Sequence, residues 1–171
     1  MTCSTPTAAV EQVKAQATVA ATKAPAVATS APAKPTATPL PKVGDTIKGG
    51  NWEYQVTKLD QQKTITWSQY GNKADAKGIW QIVHIKLQNV GNQTHPINAW
   101  DFEVKDDAGI TYKADAMVSM QYSDFSKLSK PMDNYPPGVP AEIGVAFDIN
   151  PAAKGLKLNL VQAKTLVDLG Q

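Results

Sequence analysis

Few side chains in this sequence could carry chemistry, and their spacing narrows what that chemistry could be. The two histidines, His84 and His95, are not an i, i+4 pair and the single cysteine is Cys3, so a zinc site would have to be assembled from distant carboxylates. No Gly-x-Ser-x-Gly elbow accompanies them, which removes the simplest serine-nucleophile reading. The neighbours Asp106 and Asp107 could hold calcium in a surface turn. Aspartates there also accept hydrogen bonds from their own turn amides, however, and no Asp-x-Asp-x-Asp-Gly string is present. The expectation is no catalytic residue, no metal and no cofactor, and the chain is read as non-enzymatic.

Two other features could bind rather than react. Cys3 is followed by Ser4 and a Pro/Thr/Ala-rich stretch, as at the mature start of a bacterial lipoprotein, where the thiol carries diacylglycerol. Only Met1 and Thr2 precede it, so lipidation at Cys3 requires a leader upstream; the alternative is an ordinary free thiol. With the anchor, the expected location is extracellular or at the cell surface, touching membrane only through the lipid. The second feature is the aromatic and Met-rich run from Met117 to Tyr135. Tyr122, Phe125 and Tyr135, with Trp67 and Tyr70 from an earlier loop, could form an apolar platform with polar tips. The competing reading is that the same rings cover an open end or edge of a sheet.

Composition divides the chain. The twelve aromatic residues all fall at Trp52 or later and the first glycine is Gly44, whereas residues 4–42 are mostly Ala, Thr, Pro, Val and Lys, with six prolines. Such a segment cannot bury enough apolar surface to offset the entropy of ordering it. Residues 1–42 are therefore expected to be a disordered tether, and residues 43–171 one domain. The tether carries net +3 and the domain net −1. Every basic residue is lysine, so the planar fork that grips phosphates and reads guanine edges is missing, and nucleic acid is not an expected partner. No stretch reaches the roughly 18 apolar residues of a membrane-spanning helix.

Within the domain, period-two alternation predicts strands. The run Gly78–Gly91 has apolar residues on both parities and reads as a central strand, with His84 and Lys86 sharing its outer parity. Trp52, Tyr54 and Val56 predict a half-buried strand after a short first strand at Thr46–Lys48. Asp60-Gln61-Gln62 predicts a turn with Thr64–Trp67 pairing back, and Ser68–Lys77 a polar loop. Trp100, Phe102 and Val104 share a face before the turn Asp106–Gly109, and Ile110–Lys113 returns from it as a hairpin. Ile143 to Ile149, then Leu156 to Leu160, alternate again, and Thr165–Leu169 adds a last short strand. Ala114–Pro140 is too long for an idle loop, so it either works or contains a short helix. Without an amphipathic helix in the rest, the fold class expected is all-β, an antiparallel two-sheet sandwich, with a closed barrel as runner-up.

Taken in order, V-G-D-T from Val43, W-E-Y-Q-V from Trp52, N-V-G-N from Asn89, D-F-E-V-K-D-D-A-G-I-T-Y from Asp101, P-P-G ending at Gly138, G-V-A-F-D-I from Gly144 and K-G-L-K-L from Lys154 resemble a known domain of unknown function. It occurs in bacterial and archaeal surface lipoproteins and is sometimes mislabelled telomeric repeat-binding factor 2. The resemblance covers Val43 to Leu160. It implies an immunoglobulin-like β-sandwich, similar to the mycobacterial immunoprotective extracellular protein, and no settled activity. What it carries over is structural: Asp101 and Phe102, Gly109 and Tyr112, Gly138, and Phe147 with Asp148.

The functional expectation is a non-enzymatic interaction module on a lipoprotein tether, its partner an unknown protein or cell-envelope component. A solute-binding or enzymatic lipoprotein using Met117–Tyr135 as a pocket is the second reading, and a structural spacer the third.

Overall fold

The computed structural model describes residues 39–68 and 70–171, so residues 1–38 of the tether expected over 1–42, and the lipidation expected at Cys3, lie outside the described residues. In chain order the strands are β1 (Thr46–Gly49), β2 (Trp52–Thr66), β3 (Lys73–Asn89), β4 (His95–Pro96), β5 (Phe102–Lys105), β6 (Thr111–Lys113), β7 (Asn134–Tyr135), β8 (Pro140–Ile149), β9 (Lys157–Leu160) and β10 (Thr165–Asp168). A 3-10 turn at Ala99–Asp101 precedes β5, and a helix, α1 (Ala116–Phe125), follows β6. One sheet runs β1-β2-β3-β8, the second β10-β9-β5-β6, and β4 pairs with β7; these ladders are all antiparallel. The immunoglobulin-like β-sandwich expected from the sequence is the fold observed. Backbone pairing begins just ahead of Val43, where Asp168 N donates to the Pro41 carbonyl at 2.7 Å and Lys42 bridges Asp168.

Alternation builds the core. Trp52, Tyr54 and Val56 of β2, Val83, Ile85 and Leu87 of β3, and Ile143, Val145, Phe147 and Ile149 of β8 form one buried cluster with Phe102, Val104, Leu158, Leu160 and Val167 of the second sheet. Tyr54 meets Phe102 edge-on with ring centroids 6.2 Å apart. Each fully buried side chain of this size contributes about 1.5–3 kcal/mol, so a one-residue slip in any strand would forfeit several at once. The opposite face of β3 is buried too. Trp80 and Ile82 join Ile65, Ala76, Val118 and Ala146 in a second cluster, with Trp67, Ala74 and Tyr122 packed against it. Burial on two sides is why β3 is apolar on both parities.

Several local expectations are corrected. Asp60-Gln61-Gln62 is not a turn: β2 continues to Thr66, with Thr64, Ile65 and Thr66 opposite Asp75, Ala74 and Lys73. The polar residues stay in strand because β3 supplies a ladder partner for their backbone. The expected loop Ser68–Lys77 shrinks accordingly, since Lys73–Lys77 already belong to β3 and Trp67 N donates to the Asn72 carbonyl at 3.0 Å. Trp100 does not share the face of Phe102 and Val104; it sits in the 3-10 turn, 57% exposed.

Two irregularities in the β2–β3 ladder steer side chains. Val56 opposes Ile85 and Lys58 opposes His84, so Thr57 is an extra residue. Beyond it the facing reverses: Leu59 packs on the main core, and Lys58 and Asp60 turn to the outer face. At the second, Lys63 Nζ donates to the carbonyls of Ala76, Lys77 and Gly78 at 2.6, 3.1 and 2.8 Å. Asp148 accepts from the amides of Lys77 and Gly78, both at 2.8 Å. The bulged backbone is thus held from both directions, and a Cβ at Gly78 would collide with the Ile149 carbonyl.

Helix α1 starts where Asp115 Oδ1 accepts from Val118 N at 2.9 Å, an N-cap that satisfies a free first-turn amide. The helix closes the edge of β8. Ala146 N donates to Ser119 Oγ at 2.9 Å and Gly144 N to Ser123 Oγ at 3.1 Å, while Asp115 N and Ser129 N donate to the carbonyls of Ala146 and Glu142 at 2.9 and 2.8 Å. Four residues of helix rise about 6 Å and two residues of strand about 6.8 Å, so serines at i and i+4 match alternate strand amides. Replacing both Ser119 and Ser123 by Ala is expected to cost about 1–3 kcal/mol per orphaned amide in urea denaturation and to shift the protein toward self-association in size-exclusion chromatography. An unchanged midpoint and elution volume would refute the edge-closing role.

Candidate functional site

The register sets the first group of polar residues. Lys58 of β2 lies opposite His84 of β3, and His84 opposite Gly144 of β8. A Cβ at Gly144 would come within 2.7 Å of the Tyr122 ring, so the glycine makes room for the tyrosine that α1 lowers onto the sheet. Tyr122 stands edge-on to His84, with ring centroids 5.7 Å apart. His84 Nε2 is 3.1 Å from Asp60 Oδ2 and 3.0 Å from Tyr122 OH, and Lys58 Nζ is 2.8 Å from the same Asp60 oxygen. A carboxylate can only accept, so Nε2 carries the hydrogen, shared between Asp60 and the phenol oxygen. Glu142 Oε1 lies 3.8 Å from Nδ1, beyond hydrogen-bond reach, and accepts from Thr57 Oγ1 at 3.1 Å.

Acid–base residues are therefore gathered, and they bond to one another. His84 is 8% exposed and its protonated nitrogen is engaged on both sides. Burial pushes the Tyr122 phenol up from its usual range, and the hydrogen bond to Asp60 raises the Lys58 ammonium. Asp60 and Glu142 approach opposite ring nitrogens and cannot converge on one ion, and no metal-ligand cluster of three occurs among the described residues. His95 is far along the chain in β4. Asp106, the other turn residue considered for an ion, accepts from Ile110 N at 2.8 Å and Tyr112 OH at 3.0 Å inside its hairpin, and Asp107 pairs with Lys157 at 2.5 Å.

The five aromatic residues expected to form a platform are distributed. Tyr135 is 5% exposed in the main core, T-shaped against Trp52 at 5.9 Å, with its OH donating to the Lys130 carbonyl at 2.6 Å. Trp67 and Tyr122 pack on the second cluster. Tyr70 and Phe125 are exposed. The segment 117–135 is α1 laid along β8 followed by β7, rather than a loop standing around a cavity.

A concave surface lies elsewhere, at one end of the sandwich. Gly50 and Asn51 from the β1–β2 turn, Trp52, His95 and Pro96 of β4, Asn98, and Gln162 from the β9–β10 turn line a concavity of about 390 Å³. Its walls are fixed by hydrogen bonds. Buried Asn89 donates to the carbonyls of Gln93 and Tyr135 at 2.7 and 2.8 Å and accepts from Gly91 N at 2.9 Å, ordering the connection that delivers His95. Val90 N donates to the Asn51 carbonyl at 2.8 Å, and Asp101 Oδ2 accepts from Asn98 N at 2.7 Å. Asp101, carried over above as a structural residue, thus holds the backbone of the lining residue Asn98 without itself lining the concavity. Asn51 Nδ2 and His95 Nε2 are 3.4 Å apart.

Sequence reasoning did not single out Lys58, Asp60, Ser119, Ser123, Asn51 or Gln162. One signal was present for the first pair: Lys58 and Asp60 continue the inward parity of Trp52, Tyr54 and Val56. Two charges in a core phase imply a bulge. The serines and carboxamides leave no such trace, because they are ordinary turn and surface residues until the fold assembles their neighbours.

A family model described as a domain of unknown function (DUF4352) matches residues 41–166. Among solved structures the chain is similar to the yjhA protein from Bacillus subtilis, at 16% identity and TM-score 0.54, over 76% of this chain and 99% of that one. It is also similar to the secreted protein MPT63 from Mycobacterium tuberculosis, at 14% identity and TM-score 0.52, over 78% and 98%. A conserved hypothetical protein from Bacillus anthracis matches at 10% identity and TM-score 0.54, over 73% and 93%. No curated protein matches the sequence. At these identities the likeness is one of fold.

Removing the Tyr122 ring should empty part of the second cluster and leave His84 with one partner. Tyr122→Ala is expected to cost about 2 kcal/mol, whereas Phe125→Ala, at an exposed position, should stay within about 0.5 kcal/mol. Equal melting temperatures for the two variants would contradict Tyr122 as a covering residue.

Proposed function

Because the chain belongs to the family of domains of unknown function DUF4352, which brings a fold and no activity, we propose from its own surface that it is a non-enzymatic recognition module acting outside the cell. It takes a protein or a cell-envelope component as partner. The observation that carries this reading is where the polar groups lie. The acid–base set of Asp60, His84 and Tyr122 is spent on mutual hydrogen bonds beneath α1, while three connections converge on an open concavity lined by Asn51, His95, Asn98 and Gln162. Binding sites commonly sit on loops held by a rigid scaffold, and the buried Asn89 staple supplies that rigidity.

The location is supported by the similarity to a protein described as secreted, and lipidation at Cys3 remains part of the same proposal. A pocket in segment 117–135 is the weaker reading, since that segment is committed to closing the edge of β8.

Fluorescently labelled protein is expected to sediment with isolated envelopes of the source organism. Replacing Asn51 and His95 together by Ala should lower the bound fraction by about tenfold or more, the effect of at least roughly 1.4 kcal/mol of lost hydrogen bonding. Failure to sediment, or equal binding by wild type and variant, would overturn recognition through this end.

A further inference from the structure

We infer that the concavity at the β1–β2 turn is a site for a neutral carbohydrate. The inference rests on the recognition reading above and names its ligand class. Among the described residues that line the site there is no lysine, aspartate or glutamate; its polar side chains are three carboxamides, Asn51, Asn98 and Gln162, and one imidazole, His95. A charged ligand would give up its hydration there without meeting a counter-charge. A carboxamide presents an acceptor and two donors in one plane, and adjacent pyranose hydroxyls, which each donate and accept, complement it.

The rest of the lining fits the same ligand. The exposed Pro96 ring provides apolar surface for the C–H face of a sugar ring, and Trp52, buried at the base of the site, is locked against Tyr135 at 5.9 Å. The volume, about 390 Å³, lies in the range of small-molecule sites and suits one or two sugar rings of a longer chain crossing the open mouth. The 3.4 Å separation of Asn51 Nδ2 from His95 Nε2 is long for a hydrogen bond, so neither group must give up a strong internal partner to take a ligand hydroxyl. Hydrogen bonds from Val90 N to the Asn51 carbonyl and from Asn98 N to Asp101 Oδ2, at 2.8 and 2.7 Å, fix the side-chain origins before binding, which lowers the ordering cost.

The test titrates the full 171-residue chain with cellohexaose, maltohexaose and N-acetylchitohexaose. In parallel arms it uses protein-free envelope polysaccharide, a hyaluronan hexasaccharide as charged control, and a random peptide library. At least one neutral oligosaccharide, or the neutral fraction of the polysaccharide, should bind and shift the Asn51, Asn98 and Gln162 side-chain amide resonances. Binding in the oligosaccharide arm assigns a free sugar, and binding in the polysaccharide arm alone assigns an envelope polymer. Asn51→Ala and Gln162→Ala, both at exposed positions, should each weaken binding about tenfold without lowering the melting temperature. If no neutral glycan binds up to roughly 10 mM while the chain still sediments with envelopes, the carbohydrate assignment falls and the recognition reading stands. If neither occurs, both fall. Preference for the charged glycan, capture of peptide alone, or glycan binding undiminished in both variants also overturns the assignment.

Discussion

Two backbone amides, those of Gly144 and Ala146, determine much of this sandwich. β8 is the last strand of its sheet, and an edge strand leaves alternate N–H groups without a ladder partner. Here the partners are the hydroxyls of Ser119 and Ser123. A helix does the work of a neighbouring strand for those groups, while β8 pairs with β3 on its other side. Because both serines are fully buried, the geometry tolerates little slack: a lost hydroxyl leaves an amide that water cannot easily reach.

Once α1 is fixed along β8, the outer face of the sheet must accept it. Gly144 has no side chain to obstruct Tyr122, Trp80 and Ile82 supply an apolar bed for Val118, and the extra residue at Thr57 turns Asp60 toward the one histidine that the helix buries. His84 then needs an acceptor, and Asp60 provides it. The cluster around His84 is a consequence of covering the sheet. At the end of the sandwich the constraint is different. There the turns need only be held in place, and their carboxamides stay open to solvent.

The sequence announced the sandwich clearly, because its strands alternate and each slip would expose a row of large side chains. β3 announced even its second buried face through Trp80 and Ile82. α1 was legible only as a segment too long to be an idle loop, since it docks through two serines and one tyrosine rather than an apolar stripe. The aromatic content of that segment suggested a platform, yet hydrophobicity alone does not distinguish Tyr135, in the core, from Phe125, in solvent. The concavity was not legible at all. It joins residues from three connections distant in sequence, and glutamine and asparagine in turns satisfy local backbone needs equally well without a ligand. Asp60-Gln61-Gln62 misled for the related reason that polar residues in the middle of a long strand look like a turn until a partner strand of equal length is known.

The serine seal also bears on the order in which the chain organises itself. The hydrogen bonds from α1 to β8 span 21 to 27 residues, whereas the ladder between β3 and β8 joins residues as far apart as Ile79 and Ile149. Closing the shorter loop costs about 1 kcal/mol less in chain entropy, and a local helix forms faster than a distant strand pairing. β8 can therefore acquire its cover before it finds its place in the sheet. Of its two edges, only the one destined for β3 is then left adhesive during folding, which directs the remaining step and shields the nascent chain from its neighbours.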